Sequence, residues 1–561
     1  MHKELYEVWL NSPIFDEQTK KELQELKENE QEIKERFYKN LEFGTGGLRG
    51  VIGAGINRMN IYTVRRSSFG IAKYILKNPI EGKEGVVIAH DSRRFSREFA
   101  IESALVFAAC GIKAYIFDSL RSTPLLSFSI LQLNCIAGAI ITASHNPKEY
   151  NGYKAYWAHG GQITPPQDYE IISEINNITD FAEIKTMDYN DAIQKGLLTI
   201  LGSEIDKAYL DAISTESSHL NGKIDGLKIV YTPLNGAGAI PVVNALKNLG
   251  FSEVYPVKEQ FEPDENFTTA PYPNPEEVST FDYALKLAKE KEADIIIATD
   301  PDADRTGVMV KDGNGEYQLL SGNQVGALFA EYNLSSLKEK NQLPANAAII
   351  STIVSTRLTK EITKAYNVAY FDVLTGFKYI GEKISNWKIN GEYSFICGFE
   401  ESIGFLNGKY ARDKDGIAAA ALICEIAAIN KQKGKSLLDA LEDLYKKYGY
   451  FKEGVRSITL KGIEGAAQIS EIMQNLRNNK PSTIGEHKIA QIKDYDLPET
   501  TGLPKSNVLY FELENNAWFC IRPSGTEPKI KIYFGVSASS SAEATKKLET
   551  LANEVMDYLS I

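Results

Sequence analysis

Short apolar runs, each closed by a small polar turn, recur along most of this chain. Gly85-Val86-Val87-Ile88-Ala89-His90-Asp91 is one. Such runs are too short for a buried helix and carry no polar alternation, which is the pattern of a strand covered on both faces. Residues 99–110 then show helical spacing, and Ala114-Tyr115-Ile116-Phe117 reads as the next strand. The alternation returns at residues 227–232 with a helix over 240–249, at 293–299, at 347–352 with a helix over 358–365, and at 394–398. It predicts three successive α/β units rather than one very large sheet.

The ends differ from this pattern. Residues 17–37 are rich in Lys and Glu with spaced leucines, a helical opening that leads into Phe43-Gly44-Thr45-Gly46-Gly47-Leu48-Arg49-Gly50. From about Val455 the strands read as shorter, and a helix over 542–558 closes what looks like a smaller α+β unit. Polar seams near 201–204, 333–344 and 448–454 divide the chain into units of 1–205, 206–325, 326–450 and 451–561.

Composition narrows the functional classes. A length of 561 residues requires several cores, and 43% hydrophobic with 24% charged residues is that of an ordinary soluble protein. The formal charge of −12 disfavours nucleic acid and anionic membranes as partners, while a local basic cleft can still hold an anionic metabolite. The five cysteines are scattered through mostly apolar runs, as reduced core thiols are. The start lacks an apolar leader and no run approaches a membrane span, so a cytoplasmic location is expected.

Four polar turns carry the candidate chemistry. Thr142-Ala143-Ser144-His145-Asn146-Pro147 follows the apolar run 135–141 and presents one hydroxyl at a strand mouth. Ser144 needs a base, cation or metal nearby to act as a nucleophile; His145 and Lys154 in the same loop, and Arg49 from the glycine-rich turn, are the candidates. Taken alone, a Ser-His pair is more often a cap or a local hydrogen bond. In Asp300-Pro301-Asp302-Ala303-Asp304-Arg305 three crowded carboxylates repel unless a cation neutralises them. Hard oxygen donors without a nearby His or Cys suit Mg²⁺, and Arg305 can offset phosphoryl charge. A solvated acidic turn is the alternative. Arg522-Pro523-Ser524-Gly525-Thr526 joins a guanidinium, two hydroxyls and flexible amides, enough for a phosphate cradle or simply for a turn between strands. Glu400, Glu401 and Ser402 end another apolar run, where carboxylates can accept from sugar hydroxyls or cap a helix. Thr375-Gly376-Phe377-Lys378 adds a cation, with Phe377 as a ring face or a core residue. No Walker-type phosphate loop occurs at these turns, which disfavours nucleotide hydrolysis.

With these four turns in this order and spacing, the chain resembles the alpha-D-phosphohexomutase superfamily from Gly44 to beyond Phe534. The Gly46-Gly47 and Thr375-Gly376-Phe377-Lys378 features resemble its phosphoglucomutase-2 and phosphopentomutase branch. The resemblance implies four domains around a central cleft, three alike and a smaller mobile fourth. It implies that Ser144 carries a phosphoryl group and that Asp300, Asp302 and Asp304 bind Mg²⁺ with it. Glu400 and Ser402 would hold sugar hydroxyls, assisted by Thr375, Gly376, Lys378 and Arg305. Arg522, Ser524, Gly525 and Thr526 would grip the phosphate that is not transferred. Arg49 would contact the phosphoserine, and His145 and Lys154 would assist proton movement. The implied reaction interconverts alpha-D-glucose 1-phosphate and glucose 6-phosphate, with glucose 1,6-bisphosphate as priming compound and intermediate. Pentose and mannose phosphates are alternative substrates, and a monomer or dimer is expected.

Overall fold

The computed structural model describes residues 2–44, 47–217, 226–460, 462–524 and 529–560. The chain forms two compact units. One comprises Met1–Leu319, Ile380–Asn390 and Gly404–Ala428, and the other Leu320–Tyr379, Gly391–Ile403 and Ile429–Ile561.

The first unit opens with helices His2–Asn11, Glu17–Glu25 and Glu30–Phe37. The Lys/Glu-rich opening is thus two helices, because Asn29 leaves helical geometry and its side chain caps the amide of Glu32. Trp9, Phe15, Phe37 and Tyr62 cluster beneath them, with the Trp9 and Phe15 rings stacked 4.1 Å apart. Arg36 receives the amide of Asn57 on its carbonyl and donates to the carbonyl of Ala54, so the helices grip the turn that follows strand Gly47–Val51.

The first sheet runs Phe43–Gly44, Gly47–Val51, Tyr150–Trp157, Ala137–Ile141, Val86–His90, Ala114–Phe117 and Leu198–Leu201. Its last four strands are parallel, with Ala137–Ile141 and Val86–His90 fully buried as their apolar runs require, whereas Tyr150–Trp157 pairs antiparallel to both of its neighbours. Helices Ile61–Lys77 and Ser96–Ala109 cover it, and Phe107, Ile88 and Val86 are at most 1% exposed. Burial of each such side chain contributes about 1.5–3 kcal/mol. The second sheet runs Tyr317–Leu320, Thr306–Lys311, Ile295–Thr299, Lys228–Thr232 and Glu253–Pro256, with the last three parallel. In both sheets the candidate turns leave the carboxyl ends of central parallel strands, where open α/β sheets bind ligands.

In the second unit, Ala369–Val373, Ala347–Thr352 and Ser394–Glu400 lie parallel in that order. The C-terminal sheet is antiparallel throughout: Tyr450–Thr459, Lys529–Ala538, Trp518–Pro523, Leu509–Leu513, His487–Asp494 and Thr483–Ile484. Two of its strands are ten residues long, so the expectation of shorter strands here is corrected. Tyr450–Thr459 runs through the seam placed at 448–454, and Lys529–Ala538 continues past Phe534 through Gly535, Ser537 and Ala538, residues that do not mark a strand; both pack on helix Ser541–Leu559. Helix Gly322–Glu339 also runs through the first half of the polar seam placed at 333–344.

Gly152 joins the strand of Arg49 to the base of the Ser144 turn. A Cβ there would lie 2.5 Å from the carbonyl oxygen of Thr142 and 2.6 Å from that of Leu48, and both are backbone atoms. Gly152→Ala is expected to cost about 1–3 kcal/mol through backbone displacement. A denaturant midpoint equal to that of the wild type would contradict it.

Candidate active site

Strand Ala137–Ile141 ends at a turn that Thr142 organises. Its hydroxyl donates to Asp91 Oδ2 at 2.6 Å and accepts the amide of Ser144 at 2.8 Å. Ser144 is held at φ 53°, a left-handed conformation uncommon for a serine and the kind of strain found at functional turns. Arg93, wholly buried and paired with Asp91 at 3.2 Å, donates to the carbonyls of Ser144, Asn146, Pro147 and Tyr150. One guanidinium thus ties down the whole turn. His145 Nδ1 lies 3.4 Å from Ser144 Oγ. Lys154 sits on strand Tyr150–Trp157, not in the turn itself, and reaches the site from the sheet.

The acidic turn follows strand Ile295–Thr299 and closes through the amide of Ala303 on the carbonyl of Asp300, with Ala303 at φ 52°. Its carboxylates are at most 1% exposed. Asp300 Oδ1 accepts the amides of Asp304 and Arg305 at 3.1 and 3.0 Å, and its Oδ2 accepts the Ser144 hydroxyl at 2.8 Å. Asp302 Oδ2 accepts from Lys154 Nζ and Thr123 Oγ1, both at 2.7 Å. Asp304 Oδ2 lies 3.2 Å from Lys154 Nζ and 3.1 Å from Lys414 Nζ. The Oδ1 atoms of Asp302 and Asp304 are buried with no hydrogen-bond partner.

Electrostatics follow from this crowding. Burial, then the charges of Asp302 and Asp304, push the Asp300 carboxyl well above the usual carboxylate range. Burial opposes ionisation of Asp304 too, but Lys154, Lys414 and Arg305 outweigh it and hold that carboxyl low. Burial likewise works against the charge on Lys154, and Asp302 and Asp304 together raise its pKa. The partly buried His145 ring is driven neutral by desolvation and by Arg305 and Arg49. Burial lowers Arg49, whose Nε is a buried donor without a hydrogen-bond partner.

One oxygen from each of the three aspartates lies within 4.8 Å of the others. Two buried acceptors without donors, beside a third carboxyl whose ionisation burial and its neighbours disfavour, fit a hard divalent cation, with Mg²⁺ suited to an all-oxygen donor set.

Three contributors escaped the sequence reading: Arg93, Thr123 and Lys414. Lys414 arrives on the charged run Arg412-Asp413-Lys414-Asp415-Gly416, which follows an apolar strand and precedes an alanine-rich helix. That run docks on the acidic turn through the Gly416 amide and the Ala303 carbonyl, and a Cβ at Gly416 would lie 2.7 Å from the carbonyl oxygens of Ala303 and Arg305. Arg305 itself pairs with Glu276 at 3.0 Å.

The second unit gathers another set. Glu400 is the last residue of its strand, and its Oε1 accepts the amide of Gly376 at 2.7 Å. Gly376 has φ 120°, a conformation that requires glycine. Thr375 is half-buried, Phe377 is core, and Lys378 is buried with its ammonium 5.3 Å from the Tyr379 ring. Glu401 accepts from Thr352 Oγ1 at 2.8 Å; burial and the adjacent Glu400 push its pKa up to about 7, against the charge of Arg522. Ser402 is half-buried beside Ile403, which has φ 54°. Ser524 donates its amide to the Lys529 carbonyl at 2.7 Å, while Gly525 and Thr526 lie outside the described residues, as do Thr45 and Gly46.

The same four-part order appears in comparisons with known proteins. Models of phosphoglucomutase/phosphomannomutase alpha/beta/alpha domains I, II and III match residues 40–182, 207–314 and 321–448, and the C-terminal domain model matches 468–553. The chain belongs to the phosphoglucomutase/phosphomannomutase family. This family of sugar-phosphate isomerases lies in the alpha-D-phosphohexomutase superfamily, and its four tandem domains are the architecture seen here. A phosphoglucomutase of Staphylococcus haemolyticus (strain JCSC1435) is 36% identical over 535 residues, 93% of this chain and 94% of that one. One from Staphylococcus aureus (strain MRSA252) is 36% identical over 532 residues, again 93% and 94%. Among solved structures, pp63/parafusin from Paramecium shares the fold at a TM-score of 0.69 and 19% identity, covering 93% of this chain and 95% of that one. A phosphoglucomutase/phosphomannomutase family protein of Burkholderia thailandensis does so at 0.67 and 20%, covering 92% and 97%. No helix among the described residues of this family member is long and apolar enough to cross a membrane.

Two outcomes are expected. Arg93→Lys keeps the charge beside Asp91 but cannot reach four carbonyls, so kcat/KM should fall on the order of 100-fold while the far-UV spectrum stays native. Unchanged kinetics would contradict the role given to Arg93. Glu401 makes stability depend on pH: the unfolded carboxyl ionises near 4.5 and the folded one only near 7. The unfolded chain therefore loses its proton first, and stability falls as pH rises through that window. The thermal midpoint of Glu401→Gln should gain on the wild type across it, by the equivalent of on the order of 3 kcal/mol, and stay level above it. A pH-independent difference would contradict this.

Proposed function

We propose that this chain is a Mg²⁺-dependent phosphoglucomutase that interconverts alpha-D-glucose 1-phosphate and glucose 6-phosphate through a phosphorylated Ser144 and glucose 1,6-bisphosphate. One observation carries the reading: the Ser144 hydroxyl donates to Asp300 within a triad that keeps two further buried carboxylate oxygens without donors. A binding protein needs no such hydroxyl inside a cation site. The curated relatives above carry the same activity in their names.

In this reading a substrate hydroxyl attacks phosphorus, the bond to Ser144 Oγ breaks, the hydroxyl proton passes to a protein base, and a proton is delivered to the departing serine oxygen to restore its hydroxyl. The bisphosphate then turns over and returns its other phosphoryl group to Ser144. His145, neutral and near Oγ, is suited to take a proton; Lys154, charged between two carboxylates, is suited to donate hydrogen bonds to the departing serine oxygen. Bound Mg²⁺, held by Asp300, Asp302, Asp304 and the Ser144 oxygen, would neutralise charge on the transferred group. Arg49 offers its buried Nε–H to the same phosphate, and Arg305 adds positive charge. Glu400 and Ser402 receive sugar hydroxyls beside Thr375, Gly376 and Lys378, and Arg522, Ser524, Gly525 and Thr526 hold the distal phosphate. Exclusion of water protects the phosphoserine from hydrolysis.

Phosphopentomutase is the second reading, with phosphomannomutase third. The observation behind it is Phe377, whose ring is 2% exposed. That turn therefore offers a sugar its backbone and Lys378 but no side-chain hydrogen bond from position 377, which suits the phosphoglucomutase-2 and phosphopentomutase branch.

Incubation with glucose 1,6-bisphosphate should add one phosphoryl group to the wild type and none to Ser144→Ala, with mutase turnover lost in the variant. Turnover by Ser144→Ala would refute the proposal. A kcat/KM markedly higher on ribose 1-phosphate than on glucose 1-phosphate would transfer it to the pentose reading.

A further inference from the structure

We infer that Thr123 is a positioning residue for the cation, acting through Asp302. The inference rests on the metal reading above. Thr123 is the first residue of helix Thr123–Gln132, far from the acidic turn in sequence, and it is wholly buried. It holds Asp302 at two points: its amide donates to the Asp302 carbonyl at 2.9 Å, and its hydroxyl donates to Oδ2 at 2.7 Å. Ser122 and Pro124 set the helix start that presents both donors, Ser122 as N-cap and Pro124 by its fixed φ.

The second donor to Oδ2 is Lys154, but its ammonium is shared between Asp302 and Asp304 at 2.7 and 3.2 Å. A shared, rotatable point charge does not fix the plane of one carboxylate. Thr123 touches Asp302 from a rigid helix, so the two donors together saturate Oδ2 and leave Oδ1 as the atom without a partner. Groups that hydrogen-bond the ligating carboxylates orient them toward the ion, and their loss typically lowers metal affinity about 10–100-fold. Without the hydroxyl, Lys154 is free to move toward Asp304, and the Asp302 carboxylate can turn.

The test titrates Mn²⁺ into the full-length protein by electron paramagnetic resonance, comparing wild type, Thr123→Val, Thr123→Ser and Asp302→Asn. Valine matches threonine in shape without the hydroxyl; Thr123→Ala replaces it if valine prevents folding. The inference expects Mn²⁺ affinity roughly 10-fold or more weaker in Thr123→Val. It expects affinity restored near wild type in Thr123→Ser, and kcat at saturating metal changed less than the metal activation constant. A purely structural threonine would instead lower the metal-free thermal midpoint and leave affinity alone. Wild-type affinity in Thr123→Val, or a Thr123→Ser variant as weak as Thr123→Val, overturns the inference while the metal reading stands. Failure of the wild type to bind Mn²⁺, or binding undiminished in Asp302→Asn, overturns both.

Discussion

Three buried carboxylates within 4.8 Å of one another, beside a serine hydroxyl, form an arrangement that a protein interior does not tolerate unaided. Burial first, and then the charges of Asp302 and Asp304, work against ionising all three, and the raised pKa of Asp300 reflects both. Neighbouring structure in the first unit manages this repulsion without removing it. Lys154 and Lys414 neutralise part of the charge, two backbone amides take up one oxygen of Asp300, and Thr123 takes up part of Asp302. The oxygens left over, Oδ1 of Asp302 and Oδ1 of Asp304, belong to different residues of a cluster in which one oxygen from each aspartate lies within 4.8 Å of the others.

The surrounding fold explains how such a cluster persists. Ser144 and Ala303 both sit at left-handed φ, and each is locked by a short internal hydrogen bond and by a neighbouring loop. Conformational cost of order 1–3 kcal/mol per site is carried by the rigid sheets behind them. Arg93 immobilises the serine turn through four carbonyls, and the run from Arg412 to Gly416 packs so closely on the acidic turn that only glycine fits at its end. Strain and charge are therefore concentrated in two loops that emerge from the carboxyl ends of central parallel strands, where the scaffold is stiffest.

Much of this was legible in the chain. Uninterrupted apolar runs marked the buried parallel strands closely; Ala114–Phe117, Ala347–Thr352 and helix Leu358–Ala365 have the bounds that periodicity assigned them. The acidic triplet and the Ser-His turn announced themselves because their chemistry is local in sequence. What escaped was long-range. Thr123 and Lys414 meet the triad only through tertiary packing; Thr123 stands in an ordinary Ser-Thr-Pro helix start, and although Lys414 lies in the charged run Arg412 to Asp415, nothing local ties that run to the acidic turn. Arg93 stands next to Arg94 in a short polar stretch after its strand, and only its burial against Asp91 sets it apart. Lys154 was assigned to a loop because a polar residue between aromatics does not advertise a strand, although Tyr150–Trp157 is buried almost throughout. The antiparallel C-terminal strands read short because their ends carry glycine, serine and charged residues with no period-2 apolar pattern.

In this account Asp300 Oδ2, which accepts from Ser144, and the partnerless Oδ1 atoms of Asp302 and Asp304 share one divalent cation with the Ser144 oxygen. Anomalous diffraction from crystals equilibrated with Mn²⁺ tests it most directly. The account predicts a single strong peak bounded by Asp300 Oδ2, Asp302 Oδ1, Asp304 Oδ1 and the Ser144 oxygen. A peak elsewhere with none among these four atoms, or carboxylates still clamped to Lys154 and Lys414 with no bound ion, would contradict it.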